Sequence, residues 1–175
     1  MKNLRLLQMF VFVLCIVSCD KDDNNDDQSP LSDDPGITAT IDGGSYSNYA
    51  FKDGIYQITT GANGNTMSIN AADVNGDQVT LFLNATGGFS AGVVKTMGAL
   101  DDNNFTNYVN IRQQSSTQIS YMSTAGNVKI TKNRVHPTEA GMRLISGTFN
   151  ITATSTSDAN TTEMTGSFTE LEYQE

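Results

Sequence analysis

The sequence predicts an all-β protein: an antiparallel β-sandwich is the expectation, and a small up-and-down or partly open β-barrel of the lipocalin type is the alternative. Gly, Asn, Thr and Ser separate short β-branched and aromatic segments about every 8 to 12 residues. No window sustains the apolar period of a helix. Residues 37–175 have the length of one domain. They contain neither of the two cysteines, so packing must stabilise them without a disulfide.

Ten strands are predicted, and each is bounded by turn-forming residues. Each carries β-branched or aromatic side chains, which favour a pleated, half-buried surface. In order they are Ile37–Ile41, Tyr46–Phe51, Ile55–Thr60, Thr66–Ala71, Gln78–Asn84, Asn107–Gln113, Gln118–Met122, Asn127–Val135, Met142–Thr154 and Glu163–Tyr173.

The fourth and fifth of these strands predict a specific hairpin register. A three-residue loop from Val74 to Gly76, with Gly76 in the left-handed position of a bulge, keeps all apolar side chains on one face. It pairs Ala71 with Val79, Ile69 with Leu81, and Met67 with Leu83. A two-residue loop would mix the two faces. The chosen register also sets Asp73 opposite Asp77, so their like charges must be solvated or bridged.

The last two predicted strands contain a short internal repeat. The segment Ser146-Gly147-Thr148-Phe149 recurs in similar form as Thr165-Gly166-Ser167-Phe168. Folding back about Asp158-Ala159 predicts that Phe149 faces Phe168, Ile151 faces Gly166 and Ala153 faces Met164. Nearer the open end the apolar positions change phase, with Leu144 opposite Tyr173. A strand pair of this kind must bulge or pass a corner.

The N-terminus predicts export and lipid attachment. Lys2 and Arg5 precede roughly a dozen mostly apolar residues, too few for a membrane-spanning helix but typical of a signal peptide. Ile16-Val17-Ser18-Cys19 resembles the lipobox of bacterial lipoproteins. We therefore expect a signal peptide at 1–18 and a mature chain that begins at Cys19. Cys19 would carry a diacylglycerol group and an acyl chain such as palmitate, which suffice for anchoring to the membrane.

Residues 19–36 form an Asp-rich segment that predicts a disordered tether. Lys21, Asp22 and Asp23 resemble the signal that sends Bacteroidota lipoproteins to the outer face of the cell outer membrane. We therefore expect an outward-facing protein. Asp20, directly after the cysteine, supports the alternative of a lipoprotein that faces the periplasm. Loss of Lys2 and Arg5 with the signal takes the formal charge from −9 to −11, which excludes nucleic acid as a partner.

A family resemblance rests on the opening Ile37-Thr-Ala-Thr-Ile-Asp-Gly-Gly and on "ISGTFNITA" and "TGSFTELEY" near the end. These segments resemble an uncharacterised Bacteroidota surface lipoprotein domain family of unknown function. The resemblance implies an antiparallel β fold and surface lipoprotein status, and it implies no activity.

Few residues predict chemistry. Asp73, Asn75 and Asp77 space oxygen ligands like the start of a calcium loop, but the glycine and glutamate that complete an EF-hand are missing, so calcium is the one cofactor candidate. His136 is the only histidine, and we expect it in an exposed turn. Alternation places Glu170 and Glu172 on one face of the last strand, where a solvated face explains them better than an acid/base pair does.

The expected function is that of a lipid-anchored cell-envelope protein that is not an enzyme. It would be a surface-exposed binding or structural module for a protein or glycan that the sequence does not identify. A first alternative is a β-barrel carrier of a small apolar ligand, which requires a cavity lined by residues such as Met67, Leu81, Phe149 and Phe168. A second alternative is a glycan-active enzyme that uses Asp or Glu.

Overall fold

A computed structural model describes residues 34–114 and 118–175. Its strands are β1 (Gly36–Gly43), β2 (Tyr46–Thr60), β3 (Thr66–Asp73), β4 (Gln78–Asn84), β5 (Val94–Thr96), β6 (Tyr108–Gln113), β7 (Ile119–Val135), β8 (Met142–Ser155) and β9 (Thr161–Gln174). A short 3-10 turn, Ala62–Gly64, joins β2 to β3. Within the described ranges no helix is long and apolar enough to cross a membrane.

The strands form one antiparallel sheet that closes on itself. Its order is β5-β7-β6-β4-β3-β2-β1-β9-β8, and β8 pairs again with β7. All strands but β5 therefore make a closed eight-stranded, up-and-down barrel, and β5 adds to the free part of β7 at Lys95↔Val128. The barrel alternative is confirmed and the preferred sandwich is not, because one unbroken ladder of strand pairs leaves no boundary between two sheets.

Two of the fold's strands are longer than predicted because bulges absorb changes of register. Strand β2 joins two predicted strands through a shift between Asp53 and Ile55. Strand β7 likewise runs through residues 123–126, where the prediction had left a gap, with a shift between Ser123 and Ala125. The short β5 was not predicted at all. In both strands the alternation of inward and outward side chains shifts by one residue at the bulge. We had expected a turn at each of these positions, but the strand continues through it.

The predicted β3–β4 register is confirmed. Ala71 pairs with Val79, Ile69 with Leu81, and Met67 with Leu83. Gly76 has a φ of 86°, the left-handed conformation that the bulge requires and that glycine adopts without steric cost.

The predicted β8–β9 register is wrong by two residues. Phe149 pairs with Gly166 and Phe168 with Gly147, while Ile151 pairs with Met164 and Ala153 with Thr162. Each glycine makes room for the ring opposite: a Cβ on Gly166 would lie 2.7 Å from Phe149 Cζ, and one on Gly147 would lie 2.7 Å from Phe168 Cε1. Each ring therefore packs over a glycine, which has no side chain. The predicted register was wrong because it paired apolar side chains with one another and did not consider this arrangement.

The phase change nearer the other end of this strand pair is a bulge, one of the two outcomes predicted. The register shifts between Ile145 and Gly147, and Glu170 on β9 has a φ of 44°. Tyr173 consequently pairs with Arg143, and not with Leu144 as predicted.

The barrel encloses the core and has two distinct ends. Because the order is up-and-down, the loops at 61–65 and 136–141, the segment 85–107 that contains β5, and the end of β9 share one end, which we call the upper end. The loops at 44–45, 74–77 and 156–160 share the lower end with the end of β6 and the start of β7. Between them the inward side chains form one buried cluster that includes Ile69, Leu81, Ile111, Ile130, Ile151 and Met164.

Candidate functional site

The predicted lipidation and export residues, Cys19, Lys21, Asp22 and Asp23, lie outside the described residues, and so do the signal peptide at 1–18 and most of the tether at 19–36. These remain predictions. The described part of the chain does place the calcium candidate, the histidine, the glutamates and the carrier residues.

The calcium candidate formed by Asp73, Asn75 and Asp77 lies in the β3–β4 turn at the lower end. Its carboxylates already accept hydrogen bonds from backbone amides. Asp73 Oδ1 accepts hydrogen bonds from the amides of Asn75 and Asp77, both at 2.9 Å, and Asp73 Oδ2 accepts one from the Tyr49 hydroxyl. Asp77 Oδ1 accepts one from the Gln114 amide at 2.8 Å. Among the described residues no group of three or more His, Cys, Asp or Glu is arranged to hold a metal. The turn thus explains these residues without an ion.

Tyrosines surround the same carboxylates and close the lower end. The ring of Tyr46 lies 5.4 Å from that of Tyr49 and 6.0 Å from that of Tyr121. Burial, followed by the negative charge of Asp77, raises the pKa of Tyr46 far above its ordinary range. Burial and the hydrogen bond to Asp73 raise the pKa of Tyr49. At neutral pH these hydroxyls remain neutral, so the cluster acts as a polar plug.

The residues that the carrier alternative requires as cavity walls do not line an interior cavity. Met67, Leu81, Phe149 and Phe168 are at most 4% exposed and belong to one cluster with the rest of the core. A cavity large enough for a ligand would give its walls surface accessible to a water-sized probe. The described barrel interior is therefore filled by side chains at these positions, as in other small eight-stranded barrels.

A pocket of about 530 Å³ opens instead at the upper end, and we call it the mouth pocket. Its apolar walls are Met67, Phe89 and Tyr173, and its polar rim includes Thr60, Asn63 and Glu175. Met67 and Tyr173 come from the ends of β3 and β9, whereas Phe89 comes from the long loop after β4. The volume falls in the range of small-molecule sites, which commonly occupy the mouths of β-barrels.

Phe89 is held in place from two sides. Asn133 Nδ2 on β7 donates a hydrogen bond to the Phe89 carbonyl at 3.0 Å, and the Lys95 ammonium lies 4.5 Å from the centre of the ring. Asn133 Oδ1 in turn accepts hydrogen bonds from the Tyr173 hydroxyl and from Arg143 Nε, both at 3.0 Å. One asparagine therefore ties together two walls of the pocket, so the site is largely preformed.

Lys95 is the unusual residue behind this wall. It is 1% exposed, and its Nζ donates to the carbonyls of Asn84 at 2.7 Å and Thr86 at 2.6 Å. Burial lowers its pKa to about 8. Since a buried ammonium is costly without partners, its two carbonyl bonds and the ring of Phe89 fix the loop that carries the pocket wall.

His136 and the paired glutamates differ from expectation. His136 is buried rather than exposed; its Nδ1 accepts the Glu139 amide at 2.9 Å, and its Nε2 lies 3.5 Å from Glu172. Glu170 is buried too and contacts Arg134 at 2.7 Å. The bulge at Glu170 separates its surroundings from those of Glu172, so the expected solvated face is wrong for Glu170.

The mouth pocket was missed by sequence reasoning because its parts are distant in the chain. Phe89 lies in the loop after β4, Lys95 on β5 and Asn133 on β7. A lysine within the apolar run Val93-Val94-Lys95-Thr96-Met97 was the one local signal that a buried cation lay there.

Comparison with protein-family models, with curated proteins and with solved structures found no match for this chain.

Proposed function

We propose that this protein is a lipid-anchored, non-enzymatic binding module of the cell envelope, and that the mouth pocket is its ligand site. The observation that carries the proposal is the preformed wall of that pocket. Asn133 and Lys95 hold Phe89 from two directions beside an opening of about 530 Å³. The buried Lys95 and the half-buried Asn133 together fix one aromatic ring at the edge of the opening.

The chemistry of the pocket favours a small ligand with one apolar face and several hydrogen-bonding groups. Phe89 offers most of the apolar surface, because Tyr173 and Met67 are 7% and 1% exposed, while Thr60 and Asn63 offer hydroxyl and amide groups at the rim. A long acyl chain fits less well, because the core below Met67 is filled. The carrier alternative thus survives as a shallow site at the mouth, in a barrel that shares its strand number and strand order with lipocalins.

The lipid anchor would place this site near the membrane. Strand β1 begins at Gly36, which pairs with Thr169 on β9, so the proposed tether would join the barrel wall five residues below the end of β9 that lines the mouth pocket. By the flexible-chain relation, a tether of this length spans roughly 20 to 25 Å. We propose that Lys21, Asp22 and Asp23 direct the protein to the outer face of the outer membrane. Protease added to intact cells should then digest the barrel, whereas protection would favour the periplasm-facing alternative.

A thermal-shift screen tests the ligand site. The full-length protein, in detergent at constant concentration, is screened against water-soluble nucleosides, sugars, amino acids and aromatic acids. A ligand present at 100 times its Kd stabilises the folded state by about 2.7 kcal/mol, so it should raise Tm by several degrees. Thr60→Trp, which fills the mouth, should abolish the shift. Thr148→Trp, on the exposed outer face of β8, is the matched control and should retain it.

Two results would contradict the proposal. One is a screen in which no compound raises Tm. The other is a stabilising compound whose effect is the same in Thr60→Trp as in the unchanged protein, since such a ligand must bind elsewhere.

A further inference from the structure

The outer face of β2, β3, β4 and β6 carries an ordered array of side chains, which we call the outer grid. The strand registers align three rows of four outward-facing residues. From the upper to the lower end the rows are Thr59, Ser68, Phe82, Tyr108; Gln57, Asn70, Thr80, Asn110; and Ile55, Ala72, Gln78, Arg112. All are exposed or half-buried. This surface lies on the wall of the barrel, away from the mouth pocket.

One corner of the outer grid is a stacked aromatic platform. The rings of Phe82 and Tyr108 lie 4.9 Å apart at an interplanar angle of 15°, and Phe105 lies 6.3 Å from Phe82. Stacked rings cover the faces that they turn towards each other, so a ligand can pack only on a ring face turned away from the pair, and that face is apolar with a negative quadrupole. Sugar rings have apolar faces of C–H groups that pack on such planes.

Amides and hydroxyls surround the platform. Asn70 is oriented by its neighbours, since its Nδ2 donates to Ser68 Oγ at 3.1 Å and its Oδ1 accepts from Thr80 Oγ1 at 2.9 Å. Within residues 34–114 and 118–175, Gln57, Gln78 and Asn110 make no side-chain hydrogen bond, so their donors and acceptors are available to a ligand. An amide offers a donor and an acceptor side by side, which matches a pair of neighbouring hydroxyls on a sugar.

The charge and shape of the outer grid limit the kinds of ligand that it could bind. The outer grid holds no carboxylate, although the chain has a net charge of −9, and Arg112 is its single charged residue. A groove of about 250 Å³ crosses it between Gln57 and Gln78, where the small Ala72 leaves a depression. The surface is too polar for a typical protein interface core, and the acidic chain repels nucleic acid.

We propose that the outer grid binds a neutral oligosaccharide or polysaccharide chain. One sugar ring packs on the face of Tyr108 that is turned away from Phe82, and further hydroxyls hydrogen-bond with the amides of the middle row. Because the outer grid holds no carboxylate, neutral hydroxyls meet amides and a hydroxyl there instead of competing charges. This site is separate from the mouth pocket and does not depend on the proposal made for it.

Affinity electrophoresis tests this inference. The full-length protein, in a detergent without a sugar head group, is run through native gels that contain dextran, mannan, β-glucan or xylan, with polygalacturonate as the acidic comparison. At least one neutral polysaccharide should retard it. Asn110→Ala and Tyr108→Ala should each weaken binding by about fivefold to tenfold, the loss expected for one hydrogen bond or one stacked ring. Asn150→Ala, an exposed asparagine on β8, should leave binding unchanged.

Several outcomes would overturn the inference. These are no retardation by any neutral polysaccharide, equal retardation of the Asn110→Ala and unchanged proteins, or retardation by polygalacturonate alone. Concentration-dependent dimerisation that Tyr108→Ala abolishes, without retardation by saccharide, would assign the surface to a second copy of the chain instead. Because Asn110 is partly exposed and makes no internal hydrogen bond, its substitution tests binding without risk to folding.

Discussion

Replacing Gly166 with alanine should strongly destabilise the barrel. A Cβ at this position would lie 2.7 Å from Phe149 Cζ and 2.8 Å from Ala39 Cα, and closer still to the Thr38 carbonyl oxygen. Two of these three neighbours belong to the backbone of β1, which pairs with β9 at Ala39↔Gly166. Rotation of the Phe149 ring therefore cannot relieve the clash.

The size of the effect follows from these contacts. Overpacking a filled core typically costs about 1 to 3 kcal/mol, and immovable backbone neighbours place Gly166→Ala at the upper end, at about 3 kcal/mol. Domains are stable by only about 5 to 15 kcal/mol, so the loss is large. Gly54 is the matched control. It also lies in a strand, but a Cβ there would meet nothing closer than Val74 Cγ1 at 3.5 Å.

Urea denaturation followed by circular dichroism measures both variants. With a slope of about 2 kcal/mol per molar urea, Gly166→Ala should lower the midpoint by about 1.5 M. Gly54→Ala should change stability by less than about 1 kcal/mol, in the stabilising direction if the unfolded chain loses freedom. A Gly166→Ala protein that unfolds within about 0.5 M of the unchanged protein would refute the argument that the glycines of β8 and β9 exist to accommodate the facing rings.

Three further predictions concern the sites. The pKa of Lys95 is about 8 in the barrel against 10.5 ordinarily, so between these values the unfolded chain binds a proton that the folded chain has lost. The free energy of unfolding should therefore rise by about 1.5 kcal/mol from pH 8 to 9.5. Lys95→Met should flatten that rise in urea titrations, and an equal rise in both proteins would exclude Lys95 as its cause. Millimolar calcium should leave Tm unchanged, because Asp73 and Asp77 already accept hydrogen bonds. A rise in Tm with calcium that is lost in Asp73→Asn would contradict this and support calcium binding at the turn. Cys19→Ala should release the protein from membranes or leave it unprocessed, and unchanged processing with full retention would exclude the lipid anchor.

The two hairpins show what the sequence could predict about register. For β3–β4, the two candidate loops place the apolar residues on the same face or on mixed faces, so burial decided between them, and Gly76 allows the left-handed position that the correct loop needs. For β8–β9, registers that differ by two residues keep the same side chains inward. Burial could not distinguish them, and the choice depended on rings fitting over Gly147 and Gly166.

Barrel closure was beyond the sequence for a related reason. A sandwich and a barrel both alternate apolar and polar residues along short strands. Closure depends on whether β9 pairs with β1 and β8 with β7, and on bulges that let β2 and β7 continue. These are properties of strand pairs far apart in the chain, so a phase change at one strand did not reveal them. The mouth pocket has the same origin, since Lys95 and Asn133 meet only through Phe89.

The two ends of the barrel use buried and half-buried polar groups in opposite ways, and this contrast supports the proposed ligand site. At the lower end, Asp73 and Asp77 accept hydrogen bonds from the protein's own amides, and Tyr46 is buried near Asp77. These carboxylates are therefore engaged within the protein. At the upper end, Lys95 and Asn133 use their hydrogen bonds to fix an aromatic wall beside an open pocket. Both arrangements cost desolvation of polar groups, but only the upper one leaves a preformed surface for a ligand. We propose that a small ligand binds in the mouth pocket, while the outer grid on the barrel wall stays free for a saccharide chain.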